Sequence, residues 1–401
     1  MPQPRRGIHF PVSGIPNKLI AKNPQIFGER QPKGCIQMKI LTVDREKIIA
    51  NLACIRETAG TEQVIAVLKA NAYGLDMRQM AGVLSEHGVR RFGVLEPADA
   101  LRLRDWGFGE EEILVLRSTA VTEDIAAILE ACATATIGSY DAAVALGGMA
   151  EEQGQTCDIH IKIDTGMGRY GFGPGELERI LSVYRYMKNL HVTGMFTHYA
   201  NAFNSRRKTE AQYDAFMAVV EKVRAAGFST GLLHASNSAA LFHCKMPSLD
   251  AVRVGSSLGG RMTVRGDHGL QKVGRLESAI AEIRWLPTGH PVGYGSAFVT
   301  KKPTKIGIIP VGSSDGFMVE KARDSFRFPE VFRYGGSAML SFLRRKRFYV
   351  TVGGKRARIL GHIGLSHTTV DLTDIDCAPG TPACFEVSPT YVPQSIERRY
   401  V

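Results

Sequence analysis

Lys69 closes an apolar run, VIAVLKA (64–70), and is followed by Asn71, Ala72, Tyr73 and Gly74. A lysine at the end of a buried strand is costly to keep charged. Desolvation lowers its pKa and leaves an amine suited to Schiff-base chemistry with an aldehyde. The plainer reading is a lysine that snorkels to the surface, and this segment alone leaves both open. Tyr73, four residues on, is placed to reach a phosphate. A second cluster, IKIDTGMGRYGF (161–172), gathers Lys162, Asp164 and Arg169 around Gly166 and Gly168. Arg169 suits bidentate pairing with a substrate carboxylate, and an ion pair with Asp164 is the structural alternative. His198 ends VTGMFTH (192–198), a position that favours chemistry over packing for a histidine. His234, Asn237 and Ser238 end the next run, and the Asn-Ser-Ala-Ala stretch reads as a helix N-terminus fit for a phosphate. Arg253, Gly255 and Ser256 lie in VRVGSSLGG, whose free backbone N–H groups make a second such turn. Serine- and glycine-rich turns are commonly just turns. Two at successive strands match the phosphate site of barrels near their last two strands.

The elements that must position these residues follow a steady rhythm. Strand-like runs occur at 64–70, 92–95, 112–116, 134–138, 159–164, 192–198, 230–236 and 251–255, with helical segments between them, one from about Arg206 to Ala226. Eight strand–helix units in this span predict a parallel (β/α)₈ TIM-like barrel, and in such barrels functional residues sit at the C-terminal strand ends. The candidate residues above stand there. After about Arg265 the rhythm gives way to strands separated by Gly/Pro turns, including SAIAEIRWL, KIGIIPVG, RFYVTVGGKRARILG and TVDLTD. That pattern predicts a mostly antiparallel β domain. The expected organisation is a disordered tail at 1–37, a barrel at 38–268 with Asp44 capping its first helix, and a β domain at 269–401.

The chain has 401 residues, a formal charge of +11 and 44% hydrophobic residues, so wholesale disorder is excluded. The charge is unevenly spread. Residues 1–37 carry Arg5, Arg6, Lys18, Lys22, Arg30 and Lys33 against Glu29 alone, leaving +6 for the other 364 residues. No dense basic block interleaves with aromatics, so a nucleic-acid partner is not expected, and a mildly positive body suits an anionic cofactor or substrate. No run approaches the ~18 apolar residues of a membrane span. The seven cysteines are scattered, odd in number and form no CxxC pair. That excludes a disulfide framework and predicts a reducing, cytoplasmic setting. The tail holds six of the eighteen prolines and no apolar core typical of a secretory signal.

The motifs AVLKANAYG, HIKIDTGMGRYGF, GMFTHYAN, HASNSAA, VRVG and GYGSAF, in this order and spacing, resemble the alanine racemase family from Met38 onward. The resemblance implies a pyridoxal 5′-phosphate (PLP) enzyme, an isomerase, with a barrel and a C-terminal β domain. It implies that Lys69 holds PLP and is one catalytic base, and that Tyr294 is the other, on the opposite face. Tyr73, Asn237, Ser238, Gly255 and Ser256 would hold the phosphate, with Tyr391 preferred to Tyr400 as a further phosphate contact. Arg253 would contact the pyridine nitrogen, His198 would stack near the ring, and Arg169 and Leu365 would face the substrate. Lys162 matches a lysine that is carbamylated in some members. Tyr294 comes from the partner subunit in the family, which implies a homodimer with shared sites.

The sequence also departs from the family pattern. IPVGSSDGF puts Ser313 and Ser314 where Tyr and Ala are common. GLSH puts Leu365 and Ser366 where Met and Asp are usual, and NAFN follows His198 in place of a small acidic segment. These changes predict a wider or more polar pocket, so the expected substrate is alanine or a related, larger amino acid. Rival readings are another barrel-type PLP enzyme (a decarboxylase, a D-threonine aldolase or a D-serine dehydratase) or a non-catalytic PLP-binding protein. No metal is expected: His367 and Cys377 lie ten residues apart and read as structural.

Overall fold

The structure, a computed structural model, describes residues 39–264, 266–320 and 348–401. The expected tail at 1–37 lies outside the described residues. The first described strand is β1 (Ile40–Val43). The next eight are β2 (Val64–Val67), β3 (Arg91–Val94), β4 (Glu112–Val115), β5 (Thr134–Ile137), β6 (Cys157–Lys162), β7 (Leu190–Phe196), β8 (Leu232–Asn237) and β9 (Ala251–Val254). Each of the eight pairs in parallel with the next, and β9 pairs back onto β2 to close the barrel. β2, β5 and β9 are buried at every position, as strands covered on both faces must be.

Helices form the outer layer. Asp44 accepts from the Lys47 backbone N–H at 3.1 Å and caps the helix Arg45–Ala59. Ser139 and Ser205 do the same for Tyr140–Glu152 and Arg206–Ala225. The last of these turns Phe216, Val219, Val220 and Val223 into the core. The segment after Asn237, read as the start of a helix, instead makes one wide helical turn of five residues, Ala240–Cys244.

The second region contains β10 (Gly274–Ala279), β11 (Glu282–Leu286), β12 (Pro291–Val292), β13 (Phe298–Val299), β14 (Thr304–Ile309), β15 (Tyr349–Val352), β16 (Lys355–Arg358), β17 (Thr368–Asp371), β18 (Pro382–Phe385) and β19 (Glu397–Tyr400). They form a six-stranded sheet ordered β16-β15-β18-β10-β1-β19, a three-stranded sheet β11-β14-β17 and a small pair β12-β13. All pairings are antiparallel except β1 with β19. The strand β1, read with the barrel, therefore belongs to this sheet. Eight strands already close the barrel and leave no free edge for a ninth. Leu41 and Val43 bury fully in the second sheet instead. The β1–β19 pairing brings residues 389–400 over the turn that follows β2. Among the described residues no helix is long and apolar enough to cross a membrane.

Candidate active site

Strand β2 stops at Val67, and the next residues turn the wrong way. Ala70, Asn71, Ala72 and Tyr73 all take left-handed helical angles, with φ of 51 to 56°. That conformation costs L-residues roughly 1–2 kcal/mol each, so neighbours must hold it. They do. Asn71 Oδ1 accepts from the Met77 N–H at 2.6 Å, and its Nδ2 donates to Gln394 Oε1 at 2.6 Å. Arg398 Nε donates to the Gly74 carbonyl at 3.1 Å, Thr390 Oγ1 to Tyr73 at 3.2 Å, and Tyr400 Oη to Leu75 at 2.7 Å. A Cβ on Gly74 would collide with the Pro389 backbone, and the φ of 82° also selects glycine there.

This turn presents Lys69 at the barrel mouth. The side chain is solvent-accessible, yet the surrounding wall withdraws enough water to lower the amine's pKa, and the Arg169 charge lowers it further. Arg169 is held through its backbone. Asp164 accepts N–H bonds from Gly166 at 2.9 Å, Met167 at 2.7 Å and Arg169 at 3.0 Å. The carboxylate thus shapes the loop and does not pair with the Arg169 guanidinium, which is exposed and packs near the Tyr170 ring at 5.9 Å. The ion-pair alternative is not what the structure contains.

Arg253, on β9, is 4% exposed and heavily bonded. Its two terminal nitrogens donate to His234 Nδ1 (2.5 Å) and to the carbonyls of His234 (2.9 Å), Thr197 (2.6 Å) and Ala235 (3.1 Å), with His198 Nδ1 at 3.4 Å. A guanidinium has five donors. No protein group among the described residues takes the fifth, Nε–H. Burial first, and the Arg253 charge second, push His198 and His234 well below the usual histidine range, so both are neutral.

Beside this lies a cavity of about 180 Å³ lined by Tyr73, Gly255, Ser256, Arg261, Thr263 and Thr390, among others. A Cβ on Gly255 would sit 2.5 Å from the Tyr73 hydroxyl, so glycine is what lets that hydroxyl approach the β9 turn. Burial raises the Tyr73 pKa to about 12, which keeps it a donor. Ser238 Oγ lies 2.9 Å from Ser257 Oγ. Asn237 is less free: its Oδ1 accepts from Ala240 N–H at 2.9 Å and its Nδ2 reaches the Tyr199 carbonyl at 3.5 Å. Tyr400 is half-buried and bonded to Leu75, whereas Tyr391, beside the cavity residues 388–390, stays 37% exposed. Sequence reading missed Arg261, Thr263, Ser257 and Thr390. The first three sit in or just after the flagged VGSSLGG turn. Thr390 arrives only through the β1–β19 pairing.

Lys162 is 2% exposed, and its Nζ has no hydrogen-bond partner among the described residues. Desolvation lowers its pKa to about 8. Tyr294 and Leu365 are different: they lie in the β region, 81% and 70% exposed, and among the described residues neither bonds to one of the barrel. Ser314 N–H and Oγ both donate to the Leu365 carbonyl (2.9 and 2.7 Å), and Ser313 N–H to Gly364 (3.1 Å), so the departures from the family pattern form one surface. No His/Cys/Asp/Glu group able to hold a metal occurs among the described residues.

A lowered-pKa amine at a strand end, a neighbouring arginine free to take a carboxylate, a buried arginine with one spare N–H and a phosphate-sized cavity fit PLP. They define a barrel-type PLP enzyme with an appended β domain. Comparison with known proteins makes the class particular. The model of the alanine racemase N-terminal domain matches residues 43–262, and that of the C-terminal domain residues 273–386. The chain belongs to the alanine racemase family, isomerases that use PLP. It is 32% identical to the alanine racemase of Methanococcus maripaludis over 342 residues, covering 83% of this chain and 84% of that one. It is 33% identical to the alanine racemase of Carboxydothermus hydrogenoformans over 280 residues, covering 69% and 75%. The solved alanine racemase of Clostridium difficile 630 superposes with a TM-score of 0.77 at 25% identity, covering 91% of this chain and 96% of that one.

Proposed function

We propose that the chain interconverts the L and D enantiomers of alanine, or of a related, larger amino acid, with Lys69 and Tyr294 as two bases on opposite faces of PLP. The observation that carries this reading is the Lys69 amine, depressed below the ordinary lysine range beside an Arg169 guanidinium that has no carboxylate partner. Bound PLP supplies an electron sink that acidifies the substrate's α C–H. The chain's own residues do the rest. Lys69 Nζ takes or returns the α-proton on one face, and Tyr294 Oη serves the other. The Arg169 guanidinium orients the substrate carboxylate. The Arg253 Nε–H would meet the cofactor's ring nitrogen and keep it unprotonated, which would limit side reactions. Tyr73, Ser238, Gly255, Ser256 and Tyr391 hold the phosphate, with Arg261 adding charge.

Tyr294 and Leu365 stand exposed on a surface of the β region, and this supports a homodimer in which each copy completes the other's site. The paired loops at Ser313–Ser314 and Gly364–Leu365 present small, polar groups, which supports acceptance of a side chain longer than methyl. Lys162, buried, unpaired and with a pKa near 8, is poised to form a carbamate, whose negative charge would pair with Arg169. A chiral assay across the standard amino acids tests the whole reading. Turnover of alanine or a longer homologue, with solvent deuterium entering Cα, is expected. Decarboxylation or aldol cleavage without exchange of enantiomers would overturn it.

A further inference from the structure

Two histidines fill the barrel interior beneath Arg253. His234 Nε2 lies 2.8 Å from His160 Nδ1, and the rings are 5.0 Å apart. Both are buried and neutral: burial first, then nearby arginines, holds the His160 pKa at about 3 and His234 well below its usual range. His160 Nε2 faces Glu112 Oε1 at 3.6 Å, and among the described residues that buried carboxylate oxygen has no hydrogen-bond partner. The other oxygen, Oε2, accepts from Arg91 Nε at 2.8 Å, and Arg91 in turn donates to Gln63. Glu112 and Arg91 open strands β4 and β3, at the end of the barrel away from Lys69. A polar chain thus runs from the mouth, through the core, to the opposite face.

The protons in this chain have a single assignment. Arginine donates and never accepts, so the 2.5 Å contact makes His234 Nδ1 an acceptor. A neutral imidazole carries one proton, which must then be on His234 Nε2. That N–H donates to His160 Nδ1, so the His160 proton is on Nε2 and points at Glu112. The backbone has been shaped to allow it. The β6–β7 ladder shifts register between Ile159 and His160, and the β8–β9 ladder shifts between His234 and Asn237. Opposite His160 stands Gly194, where a Cβ would come within 2.5 Å of the imidazole Nε2. Phe196 stacks on His234 at 4.7 Å and lies under Arg253 at 4.9 Å, sealing the chain from water. Apolar residues would pack this space with no polar group to satisfy, so packing alone does not explain two histidines here.

We infer that His160 is a positioning residue for the reaction: it accepts the His234 Nε2–H and so holds the His234 ring with Nδ1 turned to Arg253, which keeps the Arg253 Nε–H directed at the cofactor. The last link rests on the proposed contact between Arg253 and the ring nitrogen. A guanidinium whose acceptor vanished would be free to tilt, and a ring nitrogen that then gained a proton would favour transamination over clean racemisation.

Holoenzyme made with ¹⁵N-histidine and PLP labelled with ¹⁵N in the ring reads every link by NMR. The wild type should show His234 and His160 as Nε2–H tautomers. His160→Leu should leave the His234 Nε2–H without its acceptor and move its resonance, shift the cofactor nitrogen resonance, and lower kcat about tenfold with KM little changed, the order typical of outer-shell orienting groups. His160→Gln, whose amide oxygen can still accept from His234, should restore all three. His160→Ala removes the same acceptor without overfilling the core and answers the question if His160→Leu does not fold. His234 and cofactor nitrogen resonances that match the wild type in both His160→Leu and His160→Ala overturn the inference. A His234 that responds while the cofactor nitrogen does not leaves the relay standing and overturns the Arg253–nitrogen contact instead.

Discussion

Tyr400 donates its hydroxyl to the carbonyl oxygen of Leu75 at 2.7 Å, tying strand β19 to the left-handed turn that carries Lys69. Arg398, on the same strand, reaches the Gly74 carbonyl and also donates to Val392, Pro393 and Ile396. Lys69 is thus positioned by residues more than 300 places along the chain. Arg398→Ala leaves four carbonyls short of a donor and should cost about 3 kcal/mol, whereas Tyr400→Phe should cost about 1 kcal/mol. Urea unfolding and PLP titration check this. An Arg398→Ala protein with native stability and native PLP affinity would show that the turn holds itself.

The two-base reading predicts an asymmetry. Tyr294→Phe keeps the ring and deletes the acid–base group, so racemisation should fall by about 10²–10⁴ while PLP stays bound. Solvent-deuterium exchange should persist for the enantiomer whose proton Lys69 handles and vanish for the other. Equal loss of exchange for both enantiomers would reduce Tyr294 to a pocket residue.

Lys162 should carry a carbamate. Its amine is buried and has a pKa of about 8, so a substantial neutral fraction exists near neutrality to attack CO₂. With ¹³C-bicarbonate, a carbamate carbon resonance should appear in the wild type and be missing in Lys162→Met. Its absence from the wild type would leave an unpaired buried amine as the resting state.

The histidine pair should make the protein acid-sensitive. His160 binds its proton at about pH 3 when folded and near 6.5 when unfolded, and His234 is shifted in the same direction. Between those values the unfolded chain holds more protons, so stability falls as pH drops below about 6.5. Each histidine contributes a slope of about 1.4 kcal/mol per pH unit. Melting temperatures from pH 7 to 4 should decline more gently in His160→Gln than in the wild type. Parallel declines would place the acid sensitivity elsewhere.

Much of this molecule was legible in its sequence. The eight barrel strands announce themselves because strands covered on both faces read as short apolar runs, and the candidate site residues stand at their ends: Lys69, Arg169, His198 and Arg253 each follow or close such a run. The departures at Ser313 and Leu365 were visible too, since they are local substitutions in recognisable motifs. What the sequence withheld depends on distant pairing. Strand β1 reads like a first barrel strand, and only the closed barrel, with no edge to offer, sends it to the second sheet. Thr390 and Arg398 have no local signature, because their partners are backbone carbonyls on a turn brought near by the β1–β19 ladder. Whether Asp164 paired with the Arg169 guanidinium or folded its own loop was undecidable from spacing, since both outcomes use the same residues. His160 shows the same limit. In sequence it is one histidine in a strand, and its partners, His234 and Glu112, come from two other strands. Only the barrel's closure aims the three at one another in a core where an unpaired polar group is costly.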